Sequence, residues 1–128
     1  MAVTRSAGVG SEAQLHKAVA DYLDWCLLPP AVYTTFPAGW YKLPKGTGGI
    51  MRGAGLKAGM PDLLLFHAGR TFGIELKVAT GRQTEAQREM QKKLEKAGVY
   101  YAVIRDLNEL VDYLGFWKVP LRNSDIAA

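Results

Sequence analysis

The chain has 128 residues, 48% of them apolar and 22% charged, which suits one soluble globular domain spanning 1–128 and excludes a disordered or fibrous chain. No apolar run approaches the length of a membrane span, the N-terminus lacks a signal-peptide pattern, and the lone cysteine, Cys26, precludes an intrachain disulfide, so a cytoplasmic protein without a membrane association is expected. The net charge of +4 is compatible with an anionic partner, and its distribution sharpens that reading: no acidic residue lies between Asp24 and Asp62, where Lys42, Lys45, Arg52 and Lys57 all fall.

In chain order, Ser11 with Gln14 offers a capping box for a first helix. Leu15, Val19, Tyr22, Leu23 and Cys26 follow at helical spacing, and Pro29-Pro30 stops it. Glu12 projects into the same arc as Val19 and Leu23, an unusual place for an acid. Val32 to Phe36 reads as a short strand, and residues 37 to 60, with seven glycines, read as a mobile loop. Asp62 to His67 and Thr71 to Val78 form a hairpin turning at Ala68-Gly69-Arg70. Thr84 and Gln87 give a second capping box, opening a helix with the core stripe Ala86, Met90, Leu94 and Ala97 and a stop at Gly98. Val99 to Ile104 is a strand, and Asp106 caps a last helix with Leu107, Leu110, Val111 and Leu114. The core is expected over about 11–114, with an irregular tail at 115–128. The order α-β-β-β-α-β-α implies a mixed sheet flanked by helices, with a parallel crossover through residues 84 to 97.

Asp62 opens one hairpin strand, and Glu75 and Lys77 lie on the other. Residues two apart on a strand share a face, so Glu75 and Lys77 point together while Ile74, Leu76 and Val78 fill the opposite side. The hairpin brings Asp62 beside Glu75. Two carboxylates and an ammonium on a half-covered sheet face are costly unless paired or bound to a cation. Oxygen donors of this kind suit Mg²⁺ or Mn²⁺, and such an ion activates water and polarises a phosphoryl oxygen. On residue types alone, a surface ion pair explains the trio equally well.

The flanking strings separate the two readings. Gly59-Met60-Pro61-Asp62, followed thirteen residues after Asp62 by Glu75-Leu76-Lys77, resembles the PD-(D/E)xK nuclease signature. The helix opening Gln83-Thr84-Glu85-Ala86-Gln87 resembles the added motif of the virus-type replication-repair nuclease (VRR-NUC) family. The resemblance covers roughly residues 11 to 114 and implies a restriction-endonuclease-like α/β fold. It implies Asp62, Glu75 and the backbone carbonyl of Leu76 as metal ligands, Lys77 as the catalytic lysine, and Gln87 and Glu12 as further active-site residues. It also implies Mg²⁺ or Mn²⁺ as cofactor, DNA as partner, and a homodimer that cuts branched DNA such as four-way junctions.

Each of these residues has a plainer role beside the functional one. Gln87 completes the capping box with Thr84, and Glu12 favours the positive end of its helix. Gly53 to Ala58 fits a dinucleotide-binding string but opens no helix after a strand. His16 and His67 have no partner at metal-ligand spacing, Cys26 sits on an apolar stripe, and Trp25, Trp40, Tyr41 and Trp117 read as packing residues, although Trp40 and Tyr41 in the basic loop could stack on bases. Lys42, Lys45, Arg52, Lys57 and Arg82 are the candidate phosphate contacts. An exonuclease or flap nuclease of the same fold, and a non-cleaving nucleic-acid-binding or RNA-processing module, are the alternatives to an endonuclease.

Overall fold

The computed structural model describes residues 11–36 and 46–122. The Ser11 side chain accepts the N–H of Gln14 and starts α1 (Glu12–Cys26), whose stripe of Leu15, Val19, Tyr22, Leu23 and Cys26 is buried as the spacing predicts. Strand β1 (Val32–Thr35) follows.

The order then gains an element that the glycine content conceals. Residues Thr47–Gly53 form a short helix, α2, inside the segment expected to be a loop. Gly46 and Gly55 bound it with positive φ, and Gly55 lets the N–H of Leu56 return to Met51 O at 3.0 Å while its own N–H reaches Arg52 O. This double closure satisfies the last carbonyls and stabilises a helix that glycine alone disfavours. Lys42, Lys45, Trp40 and Tyr41 lie outside the described residues.

Strands β2 (Leu63–His67) and β3 (Arg70–Leu76) form the hairpin, with His67 paired to Arg70. Its loop is therefore Ala68-Gly69 alone. Both adopt positive φ, the backbone that matches a two-residue loop to the strands' twist, and Arg70 is the first residue of β3. Helix α3 (Glu85–Lys96), strand β4 (Tyr100–Ile104) and helix α4 (Leu107–Phe116) complete the chain. The sheet order is β1-β2-β3-β4, antiparallel except for β3 and β4, which the α3 crossover makes parallel.

Alternation on the strands sorts the two faces. Leu63, Leu65, Phe72, Ile74, Leu76, Ala102 and Ile104 join the stripes of α1 and α4 in one buried cluster. Gly73, Glu75 and Tyr101 belong to the other face. Helix α3 packs against β4, yet none of its residues is buried: Met90 and Leu94 are half-covered, and Ala86 and Ala97 are exposed. The expected core stripe of α3 is thus a shallow contact, since the main core lies on the opposite side of the sheet. The core also continues past Leu114. Trp117 and Val119 are buried, Leu121 bridges Leu27, and Lys118 at positive φ closes α4. Within residues 115–122, Trp117 and Val119 are thus anchored in the core, while Phe116, Lys118 and Arg122 are exposed.

Candidate active site

Backbone register places the site. Leu63 pairs with Ile74, so Asp62, one residue earlier, faces the end of β3 where Glu75 to Lys77 emerge. The backbone N–H of Leu76 donates to Oδ2 of Asp62 at 2.7 Å. On the other side of the trio, Lys77 Nζ stands 3.9 Å from Oε2 of Glu75 and 3.7 Å from Oε1 of Glu12. Asp62, Glu75 and Lys77 are all buried, Glu75 completely. A surface ion pair is thereby excluded for these three. Glu12 is half-covered and reaches Lys77 from the first turn of α1, which accounts for an acid on that arc.

Burial sets the electrostatics. It pushes the Asp62 carboxyl up to about 6 from 3.8, helped by the neighbouring charges of Glu12 and Glu75, while the Leu76 N–H and Lys77 oppose it. Burial likewise raises Glu75, against the hydrogen bond from Tyr101 and the charge of Lys77. Tyr101 donates its hydroxyl to Oε1 of Glu75 at 2.6 Å, and burial together with that carboxylate raises the phenol far above its ordinary range. Oε2 of Glu75 has no hydrogen-bond partner. Its cationic neighbour is Lys77 Nζ at 3.9 Å, and the Gln83 side chain also stands beside this carboxyl.

A cleft of about 410 Å³ opens onto this arrangement, lined by Asp62, Lys77, Glu12, Gln87, Arg52 and Lys57 among others. Glu75 does not reach its wall. The Gln87 carboxamide oxygen accepts the Thr84 N–H at 2.8 Å, completing the capping box, and the residue lines the cleft as well. Gln87 thus caps α3 and also lines the cleft. Arg82 is exposed and is not among the residues lining the cleft. The loop between β3 and α3 is held by Arg105, whose guanidinium donates to the carbonyls of Ala79 and Gly81 at 3.0 and 2.9 Å.

Among the described residues, no three His, Cys, Asp or Glu side chains gather closely enough to hold a metal ion by themselves. Mg²⁺ is commonly held by one or two carboxylates, with water and other oxygens completing the shell. Two neighbouring carboxylates of raised pKa, one with an unsatisfied buried oxygen, fit such an ion. They do not fit a softer, nitrogen- or sulfur-seeking metal. Tyr101 and Arg105 escaped the sequence reading. A tyrosine inside the apolar run Tyr100 to Ile104 looks like packing, and only the parallel register of β4 against Gly73 reveals that it faces Glu75.

Among solved structures, one described as a VRR_NUC domain protein superposes with a TM-score of 0.61 over 85% of this chain and 88% of its own, at 21% identity. This chain has that fold. The four-stranded mixed sheet flanked by helices is consistent with a restriction-endonuclease-like fold. No protein-family model matches the chain, and no curated protein matches it at a significant level. Among the described residues, no helix is long and apolar enough to cross a membrane.

Proposed function

We propose that the chain is a VRR-NUC family nuclease, a metal-dependent endonuclease that hydrolyses phosphodiester bonds in branched DNA such as four-way junctions. The observation that carries this reading is the meeting of buried Asp62, Glu75 and Lys77 beside a cleft whose wall also bears Arg52 and Lys57. When bound, Mg²⁺ or Mn²⁺ supplies Lewis-acid polarisation of the phosphoryl group and makes water a stronger nucleophile at neutral pH. Asp62 and Glu75 would hold the ion through carboxylate oxygens, and the Leu76 carbonyl would be a further ligand. Lys77 presents an ammonium to the charge that develops on the phosphate, and its neighbours Glu12 and Glu75 fix where that ammonium stands. Gln87, which lines the same cleft, would reach toward the bound groups from α3.

Arg52 and Lys57 bind flanking phosphates, a contact that supplies affinity without base readout. In the reaction, a water oxygen bonds to phosphorus as one ester P–O bond breaks, and the water's proton ends on the departing oxygen. The products are a phosphate monoester and a hydroxyl end. A homodimer would set two such sites in fixed relation for paired cuts across a junction. The exposed apolar side chains of Ile50 and Phe116, 74% and 81% accessible, are available for that contact. Trp117 is not, because it is buried in the core.

The test is a panel of end-labelled single-stranded, duplex, flap and four-way-junction DNAs, with Mg²⁺ or Mn²⁺, against wild type and Asp62→Ala. Light scattering on the same preparation gives the oligomeric state. Metal-dependent internal cuts in the junction by wild type alone are expected. Cutting that survives Asp62→Ala, or that occurs only from DNA ends, overturns the reading.

A further inference from the structure

Tyr101 stands on β4 directly across from Gly73 of β3. Its ring fits there because residue 73 has no side chain. A Cβ on Gly73 would lie 3.2 Å from Cδ2 of Tyr101 and 3.3 Å from Cγ of Pro61, tighter than packed carbons tolerate without displacement. Seated in that slot, the hydroxyl donates to Oε1 of Glu75 at 2.6 Å, and the side chain of Gln83 stands beside both groups.

Glu75 therefore has two unlike oxygens. Oε1 is engaged by the phenol. Oε2 is enclosed, has no hydrogen-bond partner, and lies on the side of Lys77 at 3.9 Å. This asymmetry bears on the kind of ion the carboxylate can serve. Mg²⁺ demands near-ideal octahedral geometry at about 2.0–2.1 Å and takes single oxygens, whereas Ca²⁺ accepts both oxygens of one carboxylate in a looser shell. An oxygen already held in a short hydrogen bond from a fixed donor is not free to swing into a shared, two-oxygen grip.

Resting on the cation reading of the cleft, the geometry points to Tyr101 as a positioning residue that occupies Oε1 of Glu75, restricts this carboxylate to one-oxygen ligation, and so favours Mg²⁺ over Ca²⁺. The 2.6 Å contact to a carboxylate oxygen makes the phenol hydroxyl the donor. If Tyr101 merely satisfied a buried carboxylate, its loss would weaken both ions alike. A selective effect separates the two roles.

The experiment is calorimetric titration of the full chain with Mg²⁺ and with Ca²⁺, for wild type, Tyr101→Phe and Gly73→Ala. Partners of metal ligands are worth about 10–100-fold in affinity. Tyr101→Phe is therefore expected to weaken Mg²⁺ by about 10-fold or more while Ca²⁺ binding holds or tightens. Gly73→Ala keeps the hydroxyl but crowds the ring, and is expected to move the ratio the same way, which carries the test should Tyr101→Phe not fold. An unchanged Mg²⁺/Ca²⁺ ratio in the folded variants overturns this assignment alone. A wild-type chain that binds neither ion overturns it together with the cation reading of the cleft.

Discussion

The N–H of Leu76 donates to Oδ2 of Asp62 at 2.7 Å, tying the residue that opens the hairpin to the strand end that carries Glu75 and Lys77. The bond aims the carboxylate, yet it does not offset the cost of burying its charge, because Asp62 still titrates near 6. Asp62→Asn keeps the shape, and its amide oxygen can keep the Leu76 bond. The variant is expected to lose divalent-cation binding and cleavage while melting, without cation, at the wild-type temperature or above. Calorimetry and a nuclease assay check both halves, and a clear drop in melting temperature would mean that the charge stabilises the fold.

The same raised pKa sets a pH dependence. A carboxyl whose folded value of about 6 exceeds its ordinary 3.8 leaves the native state holding the extra proton between those values. The stability it contributes is complete below 3.8 and lost as pH rises through about 6. Cation binding needs the deprotonated form, so affinity should climb over the same window with proton release. Burial shifts Glu75 in the same direction. Titrations in buffers of different ionisation enthalpy would read that proton directly. Affinity that stays flat across this window would show that neither carboxylate is a ligand.

Lys77 is buried with Glu12 and Glu75 as its acidic neighbours. Lys77→Met should slow cleavage by roughly 10²-fold or more, the usual cost of removing one preorganised stabiliser of transition-state charge. It should also lower stability in the absence of cation, since Glu75 is left buried with less compensation. Added Mg²⁺ is expected to restore part of that stability. A variant that cleaves at full rate but binds DNA weakly would make Lys77 a binding group instead.

Gly59 couples the loop before Asp62 to the first turn of α3. Its φ is +83°, and a Cβ there would overlap the carbonyl of Ala86 and crowd the N–H of Gln87. Both the backbone region and the space therefore require glycine. Gly59→Ala is expected to cost about 1–3 kcal/mol, the scale of a strained backbone position, measured by chemical denaturation. Cleavage should fall further than the loss of folded protein explains, because Asp62 lies three residues on and Gln87 sits across the contact. A loss of activity that tracks the folded fraction would reduce this contact to a purely structural one.

Much of this was legible beforehand because it depends on alternation and register. The period of two on β3 separates Glu75 and Lys77 from Ile74 and Leu76, and a tight hairpin returns Asp62 to them. Glu12 stood out as an acid on an apolar stripe. Helix α2 did not, since its glycines argue for a loop and its stability comes from end closure through Gly55. The shallow burial of α3 was hidden for a different reason. Its apolar spacing is regular, and only the sheet reveals that the main core lies on the side away from Glu75. Trp117 continues the α4 stripe of Leu110 and Leu114, but Val119 has no periodic neighbour, so its burial depends on how the chain returns past α1.

The cationic residues can be ranked by position. Arg52 and Lys57 line the cleft, whereas Arg82 is exposed and lies off it. Each phosphate neutralised on duplex DNA adds about 0.9 to the slope of log affinity against log salt, through release of condensed counterions. Replacing Arg52 and Lys57 together by alanine should therefore flatten the slope by up to about two units, and Arg82→Ala should leave it nearly unchanged. Cleavage rate at saturating DNA should alter little in the double variant, because neither residue joins the group around Asp62 and Lys77. Fluorescence anisotropy across a salt series, with Ca²⁺ replacing Mg²⁺ to slow cutting, gives the slopes. An unaltered slope in the double variant, or a strong effect from Arg82→Ala, would place the DNA on a different face of the protein.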